Sequence, residues 1–302
     1  MNETVSKLRA GLADPAGPLV APGCYDALSA TLIEQAGFSA AYLSGASVAY
    51  TKLGRADVGL VSVTEVAEQV GLICDRVAIP LIVDADTGFG NALNVQRTVR
   101  TFERMGAAAL QLEDQQAPKR CGHLSGKTLV STAEMVGKIR AALDARDAAL
   151  IVARTDAVAV EGFDAALERA HAYAEAGADL LFVEAPPSVA HMRQLCQALG
   201  GRVPLMANMV EGGTTPVLPA AELGAIGYRL VIFPGAFVRA LVFMAREMLG
   251  ALKADGTTEA YWSRMVDLKG VNQAVGAEAL LDAGRAYDPG IQAWGVEPQG
   301  RG

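Results

Sequence analysis

Eight short apolar runs, separated by segments of helical length, most constrain the fold of this 302-residue chain. A run that is apolar at consecutive positions is typical of a strand buried on both faces, and strands that alternate with helices form a parallel sheet. The intervening segments carry apolar residues at spacings of three and four, as amphipathic helices do. The predicted strands are residues 19–21, 40–43, 80–83, 108–112, 149–153, 180–183, 204–207 and 229–233.

The predicted helices cover residues 27–36, 64–76, 92–105, 131–145, 162–176, 189–199, 219–223 and 234–252. Gly37, Gly106 and Gly177 follow three of them, where a helix end favours the positive φ that glycine adopts readily. This alternation predicts a (β/α)₈ TIM barrel, because a doubly wound sheet usually has fewer strands and an early glycine-rich phosphate loop. We therefore predict a barrel catalytic domain at residues 1–254 and a C-terminal helical extension at 255–302. The extension is expected to form helices at 259–267 and 271–281, with Trp262 and Trp294 as contact residues.

Composition excludes several classes of function. A net charge of -7 without a basic stripe argues against nucleic acid as a partner. No apolar run approaches the roughly 18 residues that cross a bilayer, so we expect no membrane partner. Cys24, Cys74, Cys121 and Cys196 lie far apart, which predicts neither a zinc site nor a disulfide framework. Without the basic and apolar regions of a signal peptide at the start, the expected location is the cytoplasm.

Polar side chains follow most of the predicted strands, at the barrel end where active sites form. A single acidic residue there is commonly only a helix N-cap, but a series from adjacent strands indicates a site. His171 and His191 lie inside predicted helices and are assigned structural roles. The strand-end residues are Tyr42, Ser44, Gly45, Asp84, Asp86, Glu113, Arg154, Asp156, Glu184, Asn208 and Glu211.

Three of these carboxylates suggest a divalent cation. Asp84 and Asp86 lie two residues apart, so on an extended strand their side chains would point the same way, and Glu113 follows the neighbouring strand. Like charges repel unless a cation lies between them. Oxygen ligands without histidine suit Mg²⁺, with Mn²⁺ as an alternative, partly through water. Asp57 is a possible outer member, and a hydrogen-bonded cluster without metal is the competing interpretation.

Two further features suit a negatively charged substrate. Ser44, Gly45 and Ala46 place backbone N–H groups beside a hydroxyl, a suitable cradle for a carboxylate or oxyanion, although an ordinary turn has the same composition. Arg154 suits bidentate binding of a carboxylate, with a salt bridge to a cluster acid as the alternative. Arg239 is a candidate for a second carboxylate or for a surface position.

A loop after the fourth strand carries a thiol among cations. Cys121 lies close to Lys119, Arg120, His123 and Lys127 in the chain. Neighbouring positive charges lower the pKa of a thiol and make it more reactive. The alternative is an incidental cysteine in a loop whose basic residues only solvate the surface.

Six motifs, in this order along the chain, closely resemble those of the isocitrate lyase and phosphoenolpyruvate mutase superfamily. They are VDADTGFG at 83–90, LEDQ at 112–115, KRCGH at 119–123, ARTDA at 153–157, VEA at 183–185 and ANMVEG at 207–212. The resemblance implies a barrel whose last helix is swapped between subunits of a homodimer or homotetramer. It also implies Mg²⁺-dependent action on α-hydroxy or α-keto carboxylates through enolate-like intermediates.

Within that family the KRCGH loop resembles that of the carbon–carbon lyases. The implied reaction cleaves a 2-hydroxy di- or tricarboxylate, of the 2-methylisocitrate or 2,3-dimethylmalate type, to pyruvate or a similar α-keto acid plus a carboxylate. Methylisocitrate lyases commonly continue this motif with RPNK, whereas this chain has LSGK at 124–127. Its segment at 208–216 looks more like that of dimethylmalate lyase and of proteins described as carboxyvinyl-carboxyphosphonate phosphorylmutase, so the substrate stays open.

The predicted mechanism assigns each site residue a role. The metal is held by Asp84, Asp86 and Glu113, and Cys121 protonates the enolate with support from His123 and Glu184. Gly122 belongs to a lid that excludes water. Tyr42 is the candidate base by position. The residues expected to bind substrate are Ser44, Gly45, Ala46, Asp84, Gly122, Arg154, Asn208 and Arg239.

Two alternatives compete with the lyase. One uses the same site for oxaloacetate decarboxylation or phosphonate chemistry of the carboxyphosphonoenolpyruvate mutase type, although those members generally lack the cysteine. The other is a catalytically silent barrel that binds keto acids or serves as an assembly subunit. The intact series of strand-end polar residues argues against the silent barrel.

Overall fold

Eight parallel strands close into a barrel in the computed structural model, which describes residues 2–120, 122 and 126–288. Each strand pairs with the next in the chain, and the last pairs back with the first, Leu19 opposite Leu230. The predicted TIM barrel is therefore confirmed, and every predicted strand is present. The strands are β1 (Leu19–Cys24), β2 (Ala41–Leu43), β3 (Leu81–Asp84), β4 (Ala109–Glu113), β5 (Leu150–Thr155), β6 (Leu180–Val183), β7 (Leu205–Asn208) and β8 (Leu230–Phe233).

The predicted helices between the strands are also present. Gly37, Gly106 and Gly177 follow three of them with φ of 86, 106 and 102°, as their positions indicated. Among the described residues no helix is both long and apolar enough to cross a membrane. The helices up to the last strand are α1 (Glu3–Ala13), α2 (Ala27–Gln35), α3 (Gly45–Val48), α4 (Val63–Arg76), α5 (Ala92–Arg104), α6 (Thr132–Ala145), α7 (Phe163–Glu175), α8 (Val189–Leu199) and α9 (Ala220–Ile226).

The core has two layers because successive strand residues point to opposite faces. Outward-facing Val83 and Ile151 pack with helix residues such as Phe102. Inward-facing Ile82 and Phe182 fill the barrel interior. Burial of such side chains stabilises the fold by about 1.5–3 kcal/mol each.

Helix α1 was not predicted, and it packs against the barrel interior. Its N-cap Asn2 accepts a hydrogen bond from the backbone N–H of Thr4 at 3.1 Å. Val5, Leu8 and Leu12, spaced by three and four residues, are buried with the inward-facing strand residues. The site must therefore lie at the other end of the barrel, where the strands finish.

A second compact unit begins at Ala240, inside α10 (Ala236–Asp255). The predicted helix at 259–267 is a 3₁₀ helix, Glu259–Arg264. The predicted single helix at 271–281 is wrong. It is two helices, α11 (Leu268–Ala274) and α12 (Ala277–Arg285), because Gly276 between them has a left-handed φ of 75°. Trp262 is 63% exposed, Trp294 lies outside the described residues, and the division at 254/255 stays a prediction.

Candidate active site

One cavity of about 130 Å³ lies at the carboxyl end of the strands. Its size suits a small metabolite, since pockets for drug-sized ligands reach about 300–1,000 Å³. Most of the residues predicted from the sequence line it, so the strand ends bring them together as expected. Those lining residues are Tyr42, Ser44, Asp84, Ala46, Glu113, Gly122, Arg154, Glu184, Asn208 and Arg239. Cys121 and His123 lie outside the described residues.

The first wall of the cavity is acidic. Asp84 ends β3, and the backbone N–H of Asp86 donates to Asp84 Oδ1 at 3.2 Å. We expected Asp84 and Asp86 to lie on one extended strand with their side chains pointing the same way. That expectation is wrong, because Asp86 lies beyond the strand and has a left-handed φ of 47°. Both carboxylates nevertheless approach Gly45, where a Cβ would lie 3.1 Å from Asp84 Oδ2 and 3.3 Å from Asp86 Oδ1. The turn after the strand, rather than the strand, brings the two together.

Lys119 reaches into this acidic wall. Its Nζ lies 2.5 Å from Asp57 Oδ1 and 2.7 Å from Asp86 Oδ1. Burial lowers the pKa of Lys119, but Asp86, Glu113 and the other acids raise it more, so the ammonium stays charged. Burial raises the pKa of Asp86 to about 7 against the opposing effect of Lys119. The idea that the loop cations only solvate the surface is wrong for Lys119, which is 5% exposed.

The acidic wall fits a hydrated divalent cation. Burial raises the pKa of Glu113, and its buried Oε1 has no hydrogen-bond partner among the described residues. Within that part of the chain, no three His, Cys, Asp or Glu side chains have the spacing of direct metal ligands. Mg²⁺ usually keeps several waters and takes only one or two carboxylates directly. The donor set of Asp84, Asp86 and Glu113 therefore suits an ion held largely through water.

A buried amide connects Tyr42 to Asp84. The Tyr42 hydroxyl donates to Gln111 Oε1 at 2.9 Å, and Gln111 Nε2 donates to Asp84 Oδ1 at 3.2 Å. Burial and the charge of Asp84 raise the pKa of Tyr42 well above its ordinary value, so the phenol keeps its proton. This arrangement suits an anchor for Asp84 better than a base. Gln111 was not predicted as a site residue, because its only signal in the sequence is a polar residue within an apolar run.

A second wall, next to the acidic one, is built around Arg154 near the end of β5, which pairs with Glu113 across the sheet. Arg154 Nε donates to Asp156 Oδ2 at 2.8 Å and its Nη2 donates to Asp156 Oδ1 at 3.1 Å. Glu113 Oε2 and Glu184 Oε2 lie 3.4 and 3.9 Å from this guanidinium, whose centre is 5.1 Å from the Phe182 ring. The salt-bridge alternative for Arg154 is thus present, while the side chain still lines the cavity.

Gly122 brings the loop after β4 onto this wall. A Cβ on Gly122 would lie 2.7 Å from Arg154 Nη2 and 3.1 Å from Glu184 Oε1. Lys127 Nζ donates to the Gly122 carbonyl at 2.7 Å and to Asp156 Oδ1 at 2.9 Å. Only a residue without a side chain fits between the guanidinium and Glu184 without displacing them.

Asn208, Arg239 and Ser44 also line the cavity. Asn208 Nδ2 donates to Glu184 Oε2 at 3.1 Å, and Asn208 Oδ1 is buried with no hydrogen-bond partner among the described residues. Arg239 forms an exposed ion pair with Glu211 at 2.8 Å. Ser44 caps α3, its hydroxyl accepting from the Ser47 N–H at 3.2 Å. The predicted amide cradle is therefore the first turn of a short helix.

The predicted structural role of His191 agrees with its contacts. Its Nδ1 lies 2.8 Å from Ser188 Oγ, and its ring packs 4.3 Å from that of Phe163. These contacts fasten α8 near its start, away from the cavity lining.

The family model described as phosphoenolpyruvate phosphomutase matches residues 8–253. The chain is 44% identical over 274 residues to 2,3-dimethylmalate lyase of Eubacterium barkeri, covering 90% of this chain and 94% of that protein. It is 49% identical over 239 residues to 2-methylisocitrate lyase of Aeropyrum pernix, covering 79% and 77%. The chain belongs to the PEP mutase/isocitrate lyase superfamily. The predicted family and the predicted enzyme class, a carbon–carbon lyase, are thereby confirmed.

Solved structures agree with this assignment. A crystal structure of 2,3-dimethylmalate lyase superposes with a TM-score of 0.90 at 37% identity, covering 97% of this chain and 100% of the other. Phosphonopyruvate hydrolase in complex with oxalate and Mg²⁺ gives a TM-score of 0.84 at 31% identity, covering 95% and 99%. The barrel and its extension are thus shared across members with different reactions.

Proposed function

We propose that this lyase cleaves a 2-hydroxy di- or tricarboxylate, of the 2,3-dimethylmalate or 2-methylisocitrate type, to pyruvate or a similar α-keto acid plus a carboxylate. The observation that carries the proposal is one small cavity at the strand ends that is lined by both carboxylates and hydrogen-bond donors. Asp84 and Glu113 line it with oxygens and Asp86 lies beside Asp84 at Gly45, while Arg154 and Asn208 line it with donors. Such a cavity suits a substrate that is deprotonated at its hydroxyl and develops charge on a neighbouring carboxylate.

Mg²⁺, or Mn²⁺ in its place, held by Asp84, Asp86 and Glu113 would polarise the substrate hydroxyl and its adjacent carboxylate. Ser44, Gly45 and Ala46 orient the part that becomes the keto acid, with the donors at Gly45 and Ala46, because the Ser44 backbone N–H already donates to the Cys24 carbonyl at 3.2 Å. Since each developing charge faces a donor that is already in place, little reorganisation accompanies bond breaking.

Arg154, Asn208 and the Gly122 backbone stabilise the enolate-like fragment left when the carbon–carbon bond breaks. Cys121 then donates its proton to the carbon, supported by His123 and Glu184. Gly122, the residue after Cys121, lies so close to Glu184 that an added Cβ would be 3.1 Å from its Oε1, which supports this assignment from the described part of the loop. Tyr42 stays a prediction as the base, and its hydrogen bond to Gln111 supports an anchoring role.

A substrate panel tests the proposal. Purified protein with Mg²⁺ is incubated separately with 2,3-dimethylmalate, 2-methylisocitrate, oxaloacetate and phosphonopyruvate, while pyruvate, carbon dioxide and phosphate are measured. We expect pyruvate from one of the first two, without phosphate. Carbon dioxide from oxaloacetate as the dominant reaction, or phosphate from phosphonopyruvate, would instead assign the site to decarboxylase or phosphonate chemistry.

We further propose a cytoplasmic homodimer or homotetramer that exchanges its last barrel helix. The support is the apolar surface of α10, where Leu241, Val242, Phe243, Met244 and Leu249 are all at least 43% exposed in the single chain. Exposed apolar patches of this kind mark interaction surfaces. Light scattering after gel filtration tests the state, and Phe243→Glu should reduce the measured mass if this surface is covered by another subunit.

A further inference from the structure

We propose that Asp156 and Lys127 are positioning residues that hold Arg154 and the Gly122 backbone together at the cavity. The inference rests on the proposed lyase function and adds two residues to its machinery. Neither residue lines the cavity. Both act through groups that do.

Asp156 is a buried junction between two cations. Its Oδ2 accepts from Arg154 Nε, and its Oδ1 accepts from Arg154 Nη2 and Lys127 Nζ, at 2.8, 3.1 and 2.9 Å. The Asp156 side chain is fully buried and that of Lys127 is 3% exposed. Charge-assisted bonds in such surroundings are strong and directional. They fix the plane of the Arg154 guanidinium rather than merely neutralising it.

The backbone of Asp156 is held in place by Asp114. The Asp156 backbone N–H donates to Asp114 Oδ1 at 3.0 Å. Asp114 Oδ2 in turn accepts from the Tyr173 hydroxyl at 2.8 Å and from Arg169 Nη1 at 3.3 Å. Because α7 supplies both of these donors, the junction is attached to the rigid helix layer.

Lys127 connects Asp156 to the backbone of the loop after β4. Its Nζ donates to the Gly122 carbonyl at 2.7 Å, and Gly122 lies against Arg154 and Glu184. Among the ion pairs of the described residues, Asp156 is the one partner of Lys127, whereas Arg154 also has Glu113 and Glu184 nearby. Without the Asp156 carboxylate, Glu113 and Glu184 would still neutralise the charge of Arg154, but the guanidinium would be free to turn toward them. Lys127 would lose its anchor.

The test compares Asp156→Asn, Lys127→Met and the double variant with wild type. Loss of the hydrogen-bond partners that orient metal ligands typically costs about 10–100-fold in activity. We expect the same factor for the partners that orient Arg154, as a fall in kcat in each single variant. Asp156→Asn should also weaken oxalate binding by about 10-fold with Mg²⁺ present, measured by calorimetry. The double variant should be no slower than Asp156→Asn, because both changes break one chain of contacts. Lys127→Arg should recover most of the turnover.

Asp179→Asn is the matched control. Asp179 accepts from Arg146 and from the Ile151 N–H at the opposite end of the barrel, so it should lower stability without changing kcat/KM. If Asp156→Asn fails to fold, Lys127→Met tests the same contact from the loop. Wild-type kcat and oxalate affinity in Lys127→Met, or multiplicative losses in the double variant, would overturn the proposal. If no substrate in the panel is cleaved yet the oxalate affinities differ as stated, the lyase function fails and the positioning role stands.

Discussion

Gly45→Ala should weaken Mg²⁺ binding while leaving the free energy of unfolding nearly unchanged. The added Cβ would lie 3.1 Å from Asp84 Oδ2 and 3.3 Å from Asp86 Oδ1, whereas ordinary contacts begin at 3.4 Å. Asp84 cannot withdraw freely, because Gln111 and the Asp86 N–H both hold its Oδ1 at 3.2 Å. Metal coordination tolerates displacements of only about 0.2 Å, so the methyl group disturbs the cluster by a comparable amount.

We expect the variant to bind Mg²⁺ about 10–100-fold more weakly, equivalent to about 1.4–2.8 kcal/mol. Its free energy of unfolding should stay within about 1 kcal/mol of wild type, since alanine is accepted at a helical position. Calorimetric titration of Mg²⁺ and urea unfolding measure the two quantities. Gly137→Ala, inside α6 with nothing within 4 Å of the new Cβ, is the matched control. Wild-type Mg²⁺ affinity in Gly45→Ala would refute the placement of the ion beside this glycine.

Three further predictions follow from the site and its supporting turn. Cys121→Ser should retain Mg²⁺ and oxalate binding but lower kcat by about 10²–10⁴-fold, since the thiol acts as a general acid; unchanged pyruvate release would remove it from the mechanism. Removal of divalent ions with EDTA should abolish turnover, and added Mg²⁺ should restore it; persistent turnover in EDTA would contradict a metal requirement. Gly88→Ala should lower the free energy of unfolding by about 2 kcal/mol or more in urea titrations, because φ is 84° there and the Cβ would lie 2.4 Å from Val95 Cγ2. Gly201→Ala, which meets nothing within 4 Å, should stay within about 0.5 kcal/mol of wild type, and an equal loss in both variants would refute the steric argument.

The barrel was predictable because its signal is redundant. Each strand is an apolar run buried on both faces. The glycines at 37, 106 and 177 follow the ends of three helices and have the positive φ expected there. The break at Gly276 was not predicted, because the apolar residues keep a helical spacing across it and only one backbone angle interrupts the helix. Helix α1 was not predicted, because its three buried residues precede the strand–helix alternation.

The composition of the site was predictable, while its hydrogen bonding was not. Active sites of barrels form at strand ends, so the polar residues there were found by position. The partners of each side chain depend on rotamers and turn angles that sequence spacing does not encode. Asp86 reaches the cluster through a left-handed turn, and Lys119 lies among the acids. Gln111 and Asp156 acquire their roles only from the side chains that they hold.

The most direct test of the reaction is product analysis by NMR in D₂O with 2,3-dimethylmalate and Mg²⁺. Cleavage between the hydroxyl-bearing carbon and its neighbour must give equal amounts of pyruvate and propionate. Protonation of the enolate-like fragment must place one solvent-derived deuterium on the methylene carbon of propionate. If this substrate is inert, 2-methylisocitrate should give pyruvate and singly deuterated succinate. Release of carbon dioxide, or products without that deuterium from either compound, would contradict carbon–carbon cleavage followed by protonation at carbon.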